Sequence, residues 1–282
     1  MATNEQRREA AKRKLDRQLA RRAERAKRRK IVGAGVTVGA VVIVAGVVVF
    51  LVTRGETGAS ADAGATGSSK PSPTSQPAAK ATSGPCHYTP TQGNRAAKKV
   101  ALPPDPKPTP SKGTVHVAMK TNVGTIDLTL NRAKAPCTVQ SIVHLVKSDF
   151  YANSPCHRLV TADSLSVLQC GDPTGTGKGG PGYSIPDEPP SNLKPAGKGK
   201  TVIYPRGTVA MAKSRRPDSG GSQFFMVYKD SQLPPTYTVF GKVAPEDMAM
   251  LDKVGAAGTK NGRKSGPPNM QVTINDVTLV NS

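Results

Sequence analysis

Residues 114–131 read TVHVAMKTNVGTIDLTLN, and this stretch decides the fold class. Apolar and polar side chains alternate on both sides of a central Asn122-Val123-Gly124. The apolar positions are Val115, Val117 and Met119 before it, and Ile126, Leu128 and Leu130 after it. Because successive side chains of a strand point to opposite faces of a sheet, the pattern predicts two antiparallel strands joined by a tight turn.

Further along the chain, short strand patterns alternate with two helical ones. A helix is predicted from Pro136, since proline suits a first helical turn and an apolar stripe follows at helical spacing. A second helix is predicted from Pro245 to Val254 by the same spacing. The remaining strand patterns cover 156–160, 165–170, 207–212, 222–228, 237–243 and 271–280. Residues 112–282 therefore read as one mainly β domain, a closed antiparallel barrel with helical lids.

The N-terminal part of the chain has a different composition. Residues 1–30 hold 13 Lys/Arg and 4 Asp/Glu, and residues 31–53 carry no charge. A helix of 23 residues at about 1.5 Å per residue crosses a hydrocarbon core of about 30 Å. The basic flank predicts a cytoplasmic N-terminus, so the C-terminal domain is expected outside the cell membrane on a single-pass anchor. The alternative is a cleaved secretory signal ending near Ala61-Asp62-Ala63, but its apolar region of about 7–15 residues would be shorter.

A proline-rich segment follows the predicted anchor. Ten prolines fall between Pro71 and Pro110, among many Ala, Ser, Thr and Gly residues. Such a composition buries too little apolar area to offset the entropy of ordering, so residues 54–111 are predicted to be an extended spacer. One interruption, Cys86-His87-Tyr88, is a candidate for packing back onto the domain.

The charge and motif patterns exclude several function classes. The net charge is +21, but +9 of it lies in residues 1–30, where no aromatic residue is available for base stacking, so no nucleic-acid partner is expected. Cys and His spacings fit no zinc site, and neither a metal nor a cofactor is expected. The pattern Gly175-x-Gly177-x-x-Gly180 matches a dinucleotide fingerprint, but Pro181 and Pro186 prevent the helix that the fingerprint requires.

Five segments, taken together and in this order, carry a family resemblance. They are Cys156-His157-Arg158-Leu159, Val167-Leu168-Gln169-Cys170-Gly171-Asp172, Gly207-Thr208-Val209-Ala210-Met211-Ala212, Gly221-Ser222-Gln223-Phe224-Phe225-Met226 and Tyr237-Thr238-Val239-Phe240-Gly241-Lys242-Val243. The sequence looks like an actinobacterial membrane-anchored member of the cyclophilins, and the resemblance covers residues 112–282 and none of the N-terminal 111. The resemblance implies an eight-stranded antiparallel barrel with two capping helices and peptidyl-prolyl cis–trans isomerase activity.

The resemblance also implies site residues. Arg158 and Gln169 would be catalytic, with Arg158 as the donor to the proline nitrogen and Gln169 orienting it. The implied substrate-binding residues are Phe225 as the floor of a proline pocket, Val167 and Leu233 as its walls, Ala212 and Lys213 beside the peptide backbone, and Gln223 and Tyr237. Two departures stand out: Ser166 where the family usually has Phe, which would remove a wall, and Lys213 where it usually has Asn.

Two functions remain open at this point. The first is an isomerase that acts on proline-containing segments of exported proteins, with a monomeric catalytic domain. The second is a catalytically weak module that binds such segments as a chaperone or scaffold, a reading motivated by Ser166 and Lys213. The four cysteines, Cys86, Cys137, Cys156 and Cys170, suit disulfides in an oxidising compartment, and all three pairings are open.

Overall fold

The structure is a computed structural model that describes residues 80–91, 96–197 and 199–280. All of them fall in one compact unit, residues 75–282. The predicted basic segment 1–30, the predicted span 31–53 and the first part of the predicted spacer, 54–79, lie outside the described residues. Within the described part, no helix is long and apolar enough to cross a bilayer.

The described chain is mainly β, with fourteen strands and two helices. The strands are β1 Thr89–Pro90, β2 Thr114–Thr121, β3 Gly124–Asn131, β4 Ser154–Pro155, β5 Arg158–Ala162, β6 Leu165–Cys170, β7 Tyr183–Ser184, β8 Val202–Tyr204, β9 Thr208–Met211, β10 Phe224–Lys229, β11 Ser231–Leu233, β12 Val239–Val243, β13 Ser265–Gly266 and β14 Thr273–Val280. The helices are α1 Pro136–Lys147 and α2 Met248–Ala257. A 3₁₀ turn, Pro245–Asp247, leads into α2, so the helix predicted from Pro245 begins three residues later.

One large antiparallel sheet organises the domain. Its strand order is β13-β5-β6-β10-β9-β12-β3-β2-β14-β4, and eight of these strands have four or more residues. The predicted hairpin is confirmed: β2 pairs with β3 from Thr114↔Asn131 to Thr121↔Gly124. The two ends of this order, β13 and β4, are not paired with each other in the described residues. Closure into an eight-stranded barrel therefore stays a prediction.

Side-chain alternation gives the sheet two apolar faces. On β10, Phe224 and Met226 point into the main core, which α1 and α2 cover. Their neighbours Phe225 and Val227 point to the opposite face and belong to a second, smaller cluster. The exposed side of that smaller cluster is where the candidate site lies.

The compact fold extends N-terminal of residue 112 and already includes residue 80, and the candidate packing segment Cys86-His87-Tyr88 lies within this extension. We call residues 80–91 and 96–111 the N-terminal strap. Cys86 and Tyr88 within it are fully buried, and β1 pairs with β7. The Tyr88 hydroxyl donates to the Cys137 carbonyl over 2.8 Å. These few buried anchors offset the ordering cost of a proline-rich stretch whose average composition predicts a spacer.

All four cysteines form disulfides. Cys86 bonds to Cys137 and thereby joins the strap to α1. Cys156, which lies just before β5, bonds to Cys170, the last residue of β6. Of the three pairings left open by the sequence, the structure has this one, and none of the cysteines is free.

Candidate active site

The register of the sheet aligns the predicted residues in one row. Arg158 on β5 lies opposite Gln169 on β6, and Gln169 lies opposite Phe225 on β10. Phe225 in turn lies opposite Ala210 on β9. Because directly opposed residues project from the same face of a sheet, the cation, the amide and the aromatic ring share one surface.

A chain of hydrogen bonds orients the polar end of this row. Arg158 donates from Nε to Ser265 Oγ over 3.0 Å and from Nη1 to Gln169 Oε1 over 3.3 Å. Gln169 Nε2 donates to Gln223 Oε1 over 2.9 Å, and Gln223 Nε2 donates to the Gly179 carbonyl over 2.9 Å. Each amide therefore has a fixed orientation. Arg158 is exposed, and its remaining N–H groups have no partner in the described residues, so they are available to a ligand.

An apolar groove of about 250 Å³ lies beside Arg158. Eight of the nine predicted site residues line it, namely Arg158, Val167, Gln169, Ala212, Lys213, Phe225, Leu233 and Tyr237. The ninth, Gln223, lies one step away and holds Gln169. Phe225 is buried, and its ring meets that of Tyr237 edge-on at 5.6 Å between centroids. The groove thus combines a rigid aromatic wall with one exposed cation.

Sequence reasoning missed one residue that lines the groove and one that supports it from behind. Leu165 lines it, and its alternation with Val167 on β6 was the signal that could have found it. Tyr204 lies behind it and packs on both Phe225 and Tyr237 with centroids 6.5 Å apart. The Tyr204 hydroxyl donates to the Pro234 carbonyl over 3.0 Å, and burial raises its pKa to about 12, so it stays neutral. No motif in the sequence marks Tyr204.

The prediction that Ser166 removes a wall of the groove is wrong. Ser166 is buried, its hydroxyl donates to the Ala162 carbonyl, and it lines a separate depression next to Asp163 and Arg206. Its neighbours Leu165 and Val167 point into the groove instead. Side chains along β6 alternate between the two faces of the sheet, so the side chain of Ser166 points away from the face that Leu165 and Val167 share.

Lys213 lines the groove, but its ammonium group is already paired. Lys213 Nζ forms an ion pair with the Asp187 carboxylate, and both side chains are largely buried. Asp187 also accepts from the Asp218 backbone N–H over 3.1 Å. The ion pair holds the loop that follows Ala212 in place. The aliphatic part of the Lys213 side chain therefore forms part of the groove wall, while its ammonium charge is neutralised by Asp187.

His157, next to Arg158, lies against the glycine-rich loop 171–180. Neither ring nitrogen has a partner among the described residues, and Gly177 lies close to the ring. Burial lowers the pKa of His157 below its ordinary 6.5, and the charge of Arg158 acts in the same direction, although Asp172 opposes it. His157 is therefore a neutral packing residue near pH 7.

The arrangement suits binding and polarisation more than covalent chemistry. Among the nine groove residues, no hydroxyl or thiol is hydrogen-bonded to a base. Within residues 80–91, 96–197 and 199–280, no cluster of His, Cys, Asp and Glu has the geometry of a metal site. What the groove offers is a slot for a small apolar ring and a cation at its edge.

Comparison with known proteins gives the following matches. The family model described as "Cyclophilin type peptidyl-prolyl cis-trans isomerase/CLD" matches residues 116–279. "Probable peptidyl-prolyl cis-trans isomerase B" of Mycobacterium leprae is 47% identical over 197 residues, which cover 69% of this chain and 66% of the relative. The protein of the same description from Mycobacterium tuberculosis H37Rv is 46% identical over 197 residues, covering 69% and 63%. The chain thus spans just under two thirds of the length of these relatives.

A solved structure also matches. The crystal structure of a Cryptosporidium parvum cyclophilin type peptidyl-prolyl cis-trans isomerase is 26% identical, with a TM-score of 0.47, over 60% of this chain and 99% of that one.

Proposed function

The chain belongs to the cyclophilin-type peptidyl-prolyl cis–trans isomerase family, and on that premise we propose that it accelerates rotation about X–Pro peptide bonds. The observation that carries the proposal is the single surface formed by Arg158, Gln169 and Phe225, with the apolar groove beside the cation. The groove would hold the pyrrolidine ring, and Arg158 would face the bond that rotates.

The chemistry needs no covalent intermediate. An X–Pro bond has a rotation barrier of about 18–20 kcal/mol, because twisting it breaks amide resonance. The proline nitrogen gains a lone pair in the twisted state. A cationic donor that meets this lone pair binds the twisted state more tightly than the planar one, which lowers the barrier. Once a bound peptide excludes water from Arg158, a charge-assisted hydrogen bond can supply about 3–4 kcal/mol, or about 10²–10³-fold in rate.

The test is NMR exchange on an Ala-Pro peptide with the full-length protein in mild detergent. We expect rapid catalysed exchange that falls about 10²–10³-fold in Arg158→Ala. Arg263→Ala is the matched control, because Arg263 is exposed and its side chain forms no hydrogen bond in the described residues. Equal rates for wild type and Arg158→Ala would refute the proposal.

One observation favours the second candidate, a binding module with weak turnover. Lys213 puts a long side chain, held by Asp187, at a groove wall where the family usually has Asn. In that case the wild-type protein binds the peptide, seen as peptide shift changes, without exchange cross-peaks. The same experiment therefore decides between the two functions.

We also propose the cellular setting. The uncharged residues 31–53 behind a basic flank support a single-pass anchor with a cytoplasmic N-terminus, and two disulfides support an oxidising compartment outside the cell membrane, with exported proteins as substrates. Resistance to carbonate extraction and digestion of the domain by protease added to intact spheroplasts are the expected results. Release by carbonate would contradict the anchor.

For the domain outside the membrane we propose a monomer. Met270 and Val280 are the only large hydrophobic residues that are exposed in the described part, and this small number supports a monomer. Light scattering of the detergent-solubilised protein, corrected for detergent mass, is expected to give one chain per particle.

A further inference from the structure

A second pocket of about 320 Å³ adjoins the apolar groove. Three residues, Gln169, Ala212 and Lys213, line both cavities. An extended peptide advances about 3.3 Å per residue. A peptide whose proline fills the groove and whose backbone passes Ala212 therefore reaches this pocket with a side chain one to three residues from the proline. We call it the flanking pocket.

The flanking pocket has a braced wall. Residues 177–182 form one side, and the strap holds them: Thr91 N–H donates to the Gly182 carbonyl over 2.9 Å, and Ala97 N–H donates to the Gly180 carbonyl over 2.8 Å. From the other side, the fully buried carboxylate of Asp172 accepts from Gly179 N–H over 3.0 Å. These bonds fix a glycine-lined surface whose shape is set before any peptide arrives.

One cation lines this pocket and two more lie on a loop beside it, and none of the three has a carboxylate partner in the described residues. Lys178 lines it and is exposed. Ser214 and Ser219 also line it and close a short loop through a 2.9 Å hydrogen bond between their hydroxyls, and that loop carries the exposed Arg215 and Arg216. None of the three cations forms an ion pair within the described residues.

The nearby carboxylates, by contrast, are already engaged. Asp187 is paired with Lys213, and Asp218 accepts from the Asp187 backbone N–H over 2.8 Å. Asp172 is buried and accepts from the N–H and the hydroxyl of Thr174 as well as from Gly179. Burial raises the pKa of Asp172, but these hydrogen bonds outweigh it and hold the pKa below its ordinary value, so the carboxylate stays charged inside its own loop. Asp218 is hydrogen-bonded but forms no ion pair in the described residues, so it offsets one of the three cations and the exposed charge around the pocket remains net positive.

We propose that the flanking pocket makes this protein selective for substrates with an acidic side chain, Asp or Glu, one to three residues from the isomerised proline. The inference rests on the proposed function, since it assumes that the proline occupies the groove. Lys178, Arg215 and Arg216 are the specificity residues. They act by charge at the rim, so the selectivity weakens as salt screens it.

The experiment compares three series of single-proline peptides with the full-length protein in detergent. Glu, Gln or Lys occupies one of the three positions on either side of the proline, and both the dissociation constant and catalysed exchange are measured by NMR at low and at high salt. At one of these positions we expect the Glu peptide to bind about fivefold more tightly than the Lys peptide, the effect of one well-formed exposed ion pair, with Gln between them. In the double variant Arg215→Gln/Arg216→Gln, the ratio of the affinities for the Glu and the Lys peptide falls towards one. Adding Lys178→Gln lowers this affinity ratio further.

The matched control is Lys112→Gln/Lys120→Gln, which removes the same net charge from exposed positions outside both cavities. It keeps the wild-type ratio. Tighter Glu binding without exchange would support the flanking pocket while refuting the isomerase. Equal affinity for Glu, Gln and Lys peptides at every position would overturn the inference whatever the exchange rate. A ratio that is unchanged in the double Arg variant, or lost equally in the control, would also overturn it.

Discussion

At the scale of single residues, the amide of Gln169 connects Arg158 to the rest of the site. It accepts from Arg158 and donates to Gln223, so its orientation is determined from both sides. We expect Gln169→Leu to lower kcat/KM about tenfold, because Arg158 loses one of its two side-chain acceptors. A double variant with Arg158→Ala should lose no more than Arg158→Ala alone, since both act through the same cation. An additive loss measured by NMR exchange would show that Gln169 contacts substrate independently.

The buried imidazole of His157 predicts a pH dependence of stability. Its pKa is lowered in the folded protein below the ordinary 6.5, chiefly by burial. Below pH 6.5 the unfolded chain therefore binds a proton that the folded protein does not. The stability is full above this pH and is lost as the pH falls towards the folded-state pKa.

The measurement is urea unfolding at pH 7.5 and at pH 5.0. Between these pH values, wild type should lose more unfolding free energy than His157→Gln. His116→Gln, at an exposed position on β2, should behave as wild type. A wild-type loss no larger than that of His157→Gln would assign the acid sensitivity to other groups.

At the scale of the elements, helix α1 is capped by a residue fifty positions away. Ala135 at the N-cap offers no side-chain acceptor. Instead, Glu188 accepts from Cys137 N–H and Thr138 N–H, both at 2.9 Å, and from the Thr138 hydroxyl at 2.7 Å. Its negative charge also lies at the positive end of the helix dipole.

We expect Glu188→Ala to lower the free energy of unfolding by about 1–2 kcal/mol. Glu188→Gln should lose less, because it keeps an acceptor but not the charge. Glu246→Gln, an exposed glutamate in the turn before α2, is the control and should be near wild type. Chemical unfolding monitored by circular dichroism measures all three. Equal values for Glu188→Ala and Glu246→Gln would show that the helix end does not depend on this carboxylate.

Local patterns sufficed for the elements whose contacts are local. The hairpin of β2 and β3 and the start of α1 at Pro136 followed from period two and from proline chemistry. For the strap, the sequence marked only Cys86-His87-Tyr88 as a candidate for packing onto the domain. The extent of the strap did not follow, because partners such as Cys137 lie about fifty residues away. The groove residues came from the family resemblance, whereas the phase of Ser166 could have been read from β6 itself.

At the scale of the whole molecule, the two disulfides close loops of different size. Cys86–Cys137 spans 51 residues and Cys156–Cys170 spans 14. If loop-closure entropy dominates, removing the Cys86–Cys137 disulfide should lower the free energy of unfolding by roughly 4 kcal/mol, and removing the Cys156–Cys170 disulfide should lower it by roughly 3 kcal/mol. Paired Cys→Ser replacements, with guanidinium unfolding as the measurement, test the order. A larger loss from the smaller loop would mean that packing next to Arg158 outweighs chain entropy.

The Cys86–Cys137 bond also sets the route by which a mechanical load enters the domain. Tension applied along the chain from its N-terminal side reaches Cys86 first and passes through the disulfide directly into α1. The residues between the two cysteines, including β2 and β3, are bypassed by the load, and their contour cannot be drawn out. At about 3.3–3.6 Å per residue, the segment between the two cysteines would extend by roughly 170–180 Å, and the disulfide prevents that extension when the chain is stretched. A domain pulled from that end would yield only beyond Cys137, and the hairpin that decides the fold would be the part shielded from the pull.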